Sequence, residues 1–340
     1  VAVSRALVLL ARSPLGNRLH VYDLDRKAVV LSRTVFGRSA SHRPYLAAEG
    51  ILIIQAEGGV RAKSFDGCTV RELWHAPPGT TITGVSISPD RSAVAIGYES
   101  DPLFVRERSG LVVVRIADGQ VLREFGPELF DLLRAAPAPL VWQDGGSELV
   151  PQAVTHTEWG RFGWARLDGS YGSLPFNQYM ATDRSGTFSA FGDGLLGGCA
   201  DVRLAARTIA IVDTRTGRTV STLSGGDQTA YDVLAVSPDG RALVAQYPVS
   251  RNEWGACIEF RYDLFVWDGS AREPIADPLG VMLSFWGLPD VRLECPNEAD
   301  ERWHRPSAMA CSSNPDGELR VDGRAFGRLS AVEILGVVER

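Results

Sequence analysis

Residues 230–270 read AYDVLAVSPDGRALVAQYPVSRNEWGACIEFRYDLFVWDGS, and this stretch decides the fold. It holds three apolar segments, at 233–236, 242–247 and 262–267. The first two are joined by Ser237-Pro238-Asp239-Gly240, a tight turn in which Pro fixes φ and Asp and Gly supply the remaining geometry. The third closes on Trp267-Asp268-Gly269, which is again turn chemistry. Short apolar runs bounded by such turns are strands, and three in succession are most of one four-stranded antiparallel unit.

The rest of the chain repeats this unit. An apolar or aromatic residue followed by Asp ends a segment at Tyr22-Asp23, Phe65-Asp66, Ala117-Asp118, Leu167-Asp168, Val212-Asp213, Trp267-Asp268 and Val321-Asp322. These seven copies lie 43 to 55 residues apart, which is the period of a four-stranded propeller blade. The turn between first and second strands recurs as Ser88-Pro89-Asp90-Arg91, and more loosely at 143–146, 183–186 and 288–290. With its S-P-D-G turn followed by a small-residue strand, the chain resembles the WD-repeat-like propellers of the TolB type. The resemblance spans essentially the whole chain and is close at two turns. The Gly-His half of the strict WD signature is absent, so it extends to the broad class only.

The expected fold is therefore all-β: one seven-bladed β-propeller of four-stranded antiparallel blades. The blades fall at about 1–35, 36–79, 80–126, 140–177, 178–225, 226–276 and 277–329. A short helical insertion is expected at 127–136, where Pro127 precedes Leu129, Phe130, Leu132 and Leu133. Ser4-Arg5-Ala6-Leu7-Val8 matches Gly240-Arg241-Ala242-Leu243-Val244, so the chain starts in the second strand of its first blade. The missing first strand is expected at 331–338 (AVEILGVV), as the innermost strand of that blade, where it closes the ring and removes exposed edges. The absence of an initiator Met is expected to mean a removed leader or a trimmed chain.

Composition agrees. Apolar residues are 45 % of 340, and 35 Gly with 19 Pro suit a fold rich in turns. The net charge is −6, which offers no basic field for nucleic acid and no polybasic membrane patch. The apolar run at 6–11 is too short to span a bilayer, so no direct membrane insertion is expected.

Function is expected on one face. The connections between second and third strands are long in blades three to seven, at 99–109, 156–161, 192–207, 248–260 and 296–315. Loops held by a rigid scaffold are where binding concentrates. Cys199, Cys257, Cys295 and Cys311 fall in or beside them. Four Cys allow three connectivities; bridges Cys295–Cys311 and Cys199–Cys257 are expected, against the alternative of free buried thiols. Bridges imply an oxidising compartment, periplasmic or secreted. No C-x-x-C pair supports a zinc site.

Two loops share Glu-Trp-Gly, at Glu158-Trp159 and Glu253-Trp254, with Arg161 and Arg251 close by. Arg302, Trp303 and His304 stand in the corresponding loop of blade seven. Trp and Arg are the usual interface anchors, so these nine residues form the expected binding set for a protein or saccharide partner. No cofactor or metal is expected, and the chain is expected to be monomeric. The competing reading is a propeller lyase or hydrolase using His156 or His304 with Glu158 or Glu301 for proton transfer. A literal G-x-G-x-x-G at 192–197 imitates a dinucleotide fingerprint. Because Asp213 is in register with the other strand-end Asp residues, 192–198 is expected to be a surface loop that binds no nucleotide.

Overall fold

The computed structural model describes residues 5–13, 16–36, 43–47, 51–56, 58–65, 70–100, 110–126, 140–143, 148–151, 163–173, 178–199, 204–252, 255–259, 261–294, 309–312, 318–328 and 331–339. These residues are all-β in antiparallel sheets, with one short helix.

In chain order the strands come in groups. The first holds β1 (Arg5–Ser13), β2 (Gly16–Asp23) and β3 (Ala28–Phe36). The second is β4 (Arg43–Leu46), β5 (Ile51–Ala56), β6 (Gly59–Ser64) and β7 (Val70–His75). The third is β8 (Thr80–Ile87), β9 (Ala93–Ser100), β10 (Gly110–Arg115) and β11 (Val121–Phe125). Then come β12 (Leu140–Gln143), β13 (Glu148–Pro151), β14 (Gly163–Arg166) and β15 (Tyr171–Ser173), and after them β16 (Gln178–Thr182), β17 (Phe188–Gly197), β18 (Leu204–Asp213) and β19 (Arg218–Ser224). The sixth group is β20 (Thr229–Val236), β21 (Ala242–Asn252), β22 (Gly255–Ile258), β23 (Asp263–Trp267) and β24 (Arg272–Pro274). Helix α1 (Pro278–Phe285) leads to β25 (Leu293–Glu294), β26 (Met309–Ser312), β27 (Glu318–Val321), β28 (Arg324–Arg328) and β29 (Ala331–Glu339).

By contact the chain divides into two compact units, 1–75 with 286–340, and 76–285. In the first, β29 pairs antiparallel with β1 from Arg5↔Glu339 to Arg12↔Ala331, so the last strand does complete the first sheet. It is not the sheet's edge, however. The sheet order is β26-β29-β1-β2-β3, because the segment at 309–312, expected within a loop, pairs Met309↔Ile334 through Ser312↔Ala331 on the far side of β29.

The 277–329 segment departs from four strands. Among the described residues its sheet is β25-β27-β28, and α1 occupies the place before the Leu288-Pro289-Asp290 turn where a first strand was expected. The local sequence explains the helix. Asp277 caps it, its Oδ1 accepting the Gly280 N–H at 2.9 Å, Pro278 is preorganised for the first turn, and Met282, Leu283 and Phe285 are buried. The helical insertion expected at 127–136 lies outside the described residues.

The described strand-end Asp residues stand at or just past the ends of β2, β10, β14, β18, β23 and β27, and most are Asx turns. The Oδ1 of Asp118, Asp168, Asp213 and Asp268 accepts the N–H two residues on, at 3.0, 2.8, 3.0 and 2.8 Å. Asp23 does the same for Asp25 and Arg26. The Ser-Pro-Asp turns are pinned differently. The buried Ser237 hydroxyl donates to the Asp239 carboxylate and accepts the Arg241 N–H at 2.9 Å. Ser88 repeats this with Asp90 at 2.6 Å and Ala93 N–H at 2.9 Å. Replacing Ser237 by Ala leaves the Arg241 N–H without that acceptor, so a loss of about 1–2 kcal/mol is expected in urea unfolding.

In the first, second, third and fifth groups the last strand is more exposed than the strands before it. On β1 both faces are buried, with Leu7, Val8, Leu9 and Leu10 all inaccessible. On β9 Val94, Ala95 and Ile96 are likewise closed to water. The fourth strands β7, β11 and β19 are largely exposed. The early strands are thus sandwiched between sheets. Ala6, Val8 and Leu10 pack with Leu52 and Ile54 in one unit. In the other, Ala93, Ala95, Leu111 and Val113 meet Trp142 and Ala165. Small residues at these contacts, Ala6 in one and Ala93, Ala95 and Ala165 in the other, permit this close stacking, since interiors fill to near-crystalline density.

Candidate interaction surface

Among the described residues, the strand-two to strand-three connections of the fifth and sixth groups are mostly strand. β17 and β18 pair in one register from Phe188↔Asp213 to Gly197↔Leu204, interrupted at Gly194. β21 runs on past its sheet and folds back as β22, pairing Val249↔Ile258 through Asn252↔Gly255. The expectation of a surface loop at 192–198 is therefore corrected: 192–197 is strand. Apolar and β-branched residues on β18 give it a partner along its full length, so the backbone groups are satisfied as a ladder. The segment from Leu204 onward, where a dinucleotide site would need a helix, is also strand.

A bend divides this hairpin. Gly194 has φ of 68°, a left-handed conformation that glycine adopts without a Cβ penalty. The Asp193 carboxylate accepts the Gly194 N–H at 2.8 Å. Opposite the bend β18 changes partner. From Thr208 onward it pairs with β19, while Ala206 bridges Tyr231 on β20.

These links close a circuit of five strands. β17 pairs β18, β18 touches β20, β20 pairs β21, β21 pairs β22, and Ile258 of β22 returns to Gly198 at the end of β17 through a parallel bridge. Ala205, Ala230, Ala245, Tyr247 and Ile258 are buried together, with Leu196 and Val249 packed against them. At the seam the Cys199 N–H donates to Ile258 O at 3.0 Å, and Cys199 is disulfide-bonded to Cys257 with the Cα atoms 5.0 Å apart. The expected Cys199–Cys257 bridge is present. Cys295 lies outside the described residues, and Cys311 is placed on β26.

Polar side chains rim this element. The Arg207 guanidinium pairs with the exposed Asp227 carboxylate at 2.5 Å, and the Ser250 hydroxyl donates to Glu259. Asp193 and Arg251 are exposed. Of the nine residues of the expected binding set, Arg251 is placed, on β21. Glu158, Trp159, Arg161, Glu253, Trp254, Arg302, Trp303 and His304 lie outside the described residues, as does His156. Reading the sequence missed Arg207, Asp227 and Glu259, because their pairing depends on strand extensions that loop composition concealed.

One further polar pair stands at the insertion-bearing end of the third group. Tyr98 on β9 is buried, and its hydroxyl donates to Glu124 Oε1 at 3.2 Å. Burial, and then the Glu124 charge and hydrogen bond, push the Tyr98 phenol up to about 12. Since the raised value belongs to the folded state, this contribution to stability is intact below about 10 and is lost as pH rises towards 12. Ultraviolet titration of folded protein is expected to show one late-ionising tyrosine, and Glu124→Gln to lower its midpoint while leaving the part due to burial.

Among the described residues no group of three or more His, Cys, Asp or Glu is arranged to hold a metal ion. No described helix is long and apolar enough to cross a membrane. No protein-family model and no curated protein matches the chain. Similar solved structures include a protein of unknown function from Bacteroides caccae, at 15 % identity, covering 83 % of this chain and 96 % of that one, with a TM-score of 0.39. Kluyveromyces lactis Hsv2 is 12 % identical over 80 % of this chain and 75 % of its own, with a TM-score of 0.46. An oligogalacturonate lyase in complex with manganese is 14 % identical over 61 % and 54 %, with a TM-score of 0.37. With each of these scores below 0.5, the functional reading rests on this chain's own geometry.

Proposed function

We propose that the chain is a seven-bladed propeller acting as a non-catalytic binding module for a protein or saccharide partner. Its blades are the seven ranges marked by the strand-end Asp residues, and its binding face is the one carrying the strand-two to strand-three connections. Support for the ring comes from the repeated antiparallel meanders, from burial falling towards the fourth strands, and from the β29–β1 pairing. The observation that carries the binding reading is the closure of the fifth and sixth connections into one filled, disulfide-fixed element. A preorganised surface loses little conformational entropy when a partner docks. The same bridge supports an extracytoplasmic location, since disulfides persist in oxidising compartments.

In this reading Arg251, on β21, and Trp254, three residues on in the sequence, are anchors. The test is binding of the purified chain to a panel of immobilised oligosaccharides, with crosslinking to envelope proteins in parallel. Trp254→Ala and Arg251→Ala are each expected to weaken the interaction by about 2 kcal/mol, as at hot spots. They should leave stability within about 1 kcal/mol, as surface changes do. A large stability loss with binding retained would make them structural caps, and a chain that binds neither class of probe would overturn the module reading.

A further inference from the structure

We propose that the Cys199–Cys257 bridge is a thiol–disulfide exchange site, opened at Cys199 by a dithiol reductant, and that its reduction releases the seam between β17 and β22. The two sulfurs stand in unlike surroundings. Cys199 is exposed at the end of the β17 arm, whereas Cys257 is 7 % exposed and sits on β22 beside the buried Ile258. Exchange requires a thiolate to reach a disulfide sulfur, so access selects which one is attacked.

The step balances as follows. A thiolate of the reductant bonds to Cys199 Sγ, the Cys199–Cys257 bond breaks, and Cys257 leaves as a thiolate that takes up a proton. The reductant's second thiolate then attacks its own sulfur in the mixed disulfide, and Cys199 leaves and is protonated. The bridge gains two electrons and two protons, and the dithiol becomes a disulfide.

Position gives the bridge its consequence. Three of the other four sides of the five-strand circuit are ladders, of nine residue pairs between β17 and β18, seven between β20 and β21 and four between β21 and β22, and the fourth is the buried Ala206↔Tyr231 pair between β18 and β20. Across the seam, among the described residues, the Gly198↔Ile258 bridge and the Cys199 N–H to Ile258 O bond are the backbone links. Without the covalent tie, β22 and the tip of β17 are held by that short contact. Parting them uncovers Ile258, Val249 and Leu196, the apolar lining of the element. Reduction therefore turns a closed polar rim into an opened apolar one, whatever partner the face binds.

Glutathione, a monothiol, reads the first step. Oxidised protein is incubated with it, quenched in acid and mapped by peptide mass. A glutathionyl adduct on Cys199 is expected. Adduct on Cys257, or on neither, would overturn the assignment. Hydrogen exchange before and after dithiothreitol reads the second step. Amides of 196–199 and 255–258 should exchange roughly tenfold faster or more after reduction, as in local opening, while those of 209–212 and 242–244 keep their protection. Unchanged exchange at the seam refutes the release, as does an equal rise throughout the chain, which would make the bridge a global staple. The double variant Cys199→Ser with Cys257→Ser should reproduce the reduced pattern without reductant. If it does not fold, the comparison on the natural chain decides alone.

Discussion

Removing residues 331–339 is expected to unfold the compact unit made of 1–75 and 286–340. β29 lies between β1 and β26 and pairs with both, so its loss strips hydrogen-bond partners from two strands at once. Val337 is fully buried, and Leu335 packs against the cluster of Ala6, Val8, Leu10, Leu19 and Val21. Together these losses are on the order of 5 kcal/mol or more, comparable with the whole stability of a domain. The measurement is hydrogen exchange at Leu7, Val8, Leu9 and Leu10, whose amides should lose their slow phase. Retained protection there would mean that β1 is held mainly by β2, and that the last strand is ornamental. The milder Val337→Ala should cost about 1–2 kcal/mol by leaving a small cavity.

Gly192→Val is expected to be the most damaging single substitution in the fifth group. Even a bare Cβ at this position would stand 2.5 Å from Met180 Cε and 2.7 Å from Ala206 Cβ. The Met side chain can swing aside, but a Cβ is fixed to its backbone, so β18 itself must move. Ala206 bridges Tyr231 and shares the core with Met180, Ile209 and Tyr231, so the shift propagates into the five-strand circuit. Overpacking of this kind costs about 3 kcal/mol, with the two added methyls at the upper end. Thermal or urea unfolding reads it. A loss below about 0.5 kcal/mol, as for an unconstrained surface position, would show that the hairpin is looser than its packing implies. The outcome also bears on the G-x-G-x-x-G imitation, since it assigns the first glycine to contact between strands.

Much of the fold was written locally. Ser-Pro-Asp and apolar-Asp pairs act within four or five residues, through hydroxyl and carboxylate bonds to the next backbone N–H groups. Their positions are therefore readable without knowing what lies across the sheet. The pairing of 331–339 with β1 was legible for a related reason: the match between 4–8 and 240–244 showed which strand the first sheet lacked. At α1 local chemistry was present but overlooked, since Asp277-Pro278 is a helix start that the repeat pattern masked.

The candidate surface was the less legible part. Composition marked 192–207 and 248–260 as loops, because glycines and polar residues break the strand pattern there. Tertiary structure decided otherwise: the described parts of each segment found a ladder partner in their own hairpin, and the two hairpins found each other through Ala206↔Tyr231 and Gly198↔Ile258. Likewise the sequence put Cys199 and Cys257 in corresponding connections of successive repeats, but left three connectivities open. Only the closing of the five-strand circuit, which brings their Cα atoms to 5.0 Å, selected the bridge, because a disulfide forms where two backbones already meet.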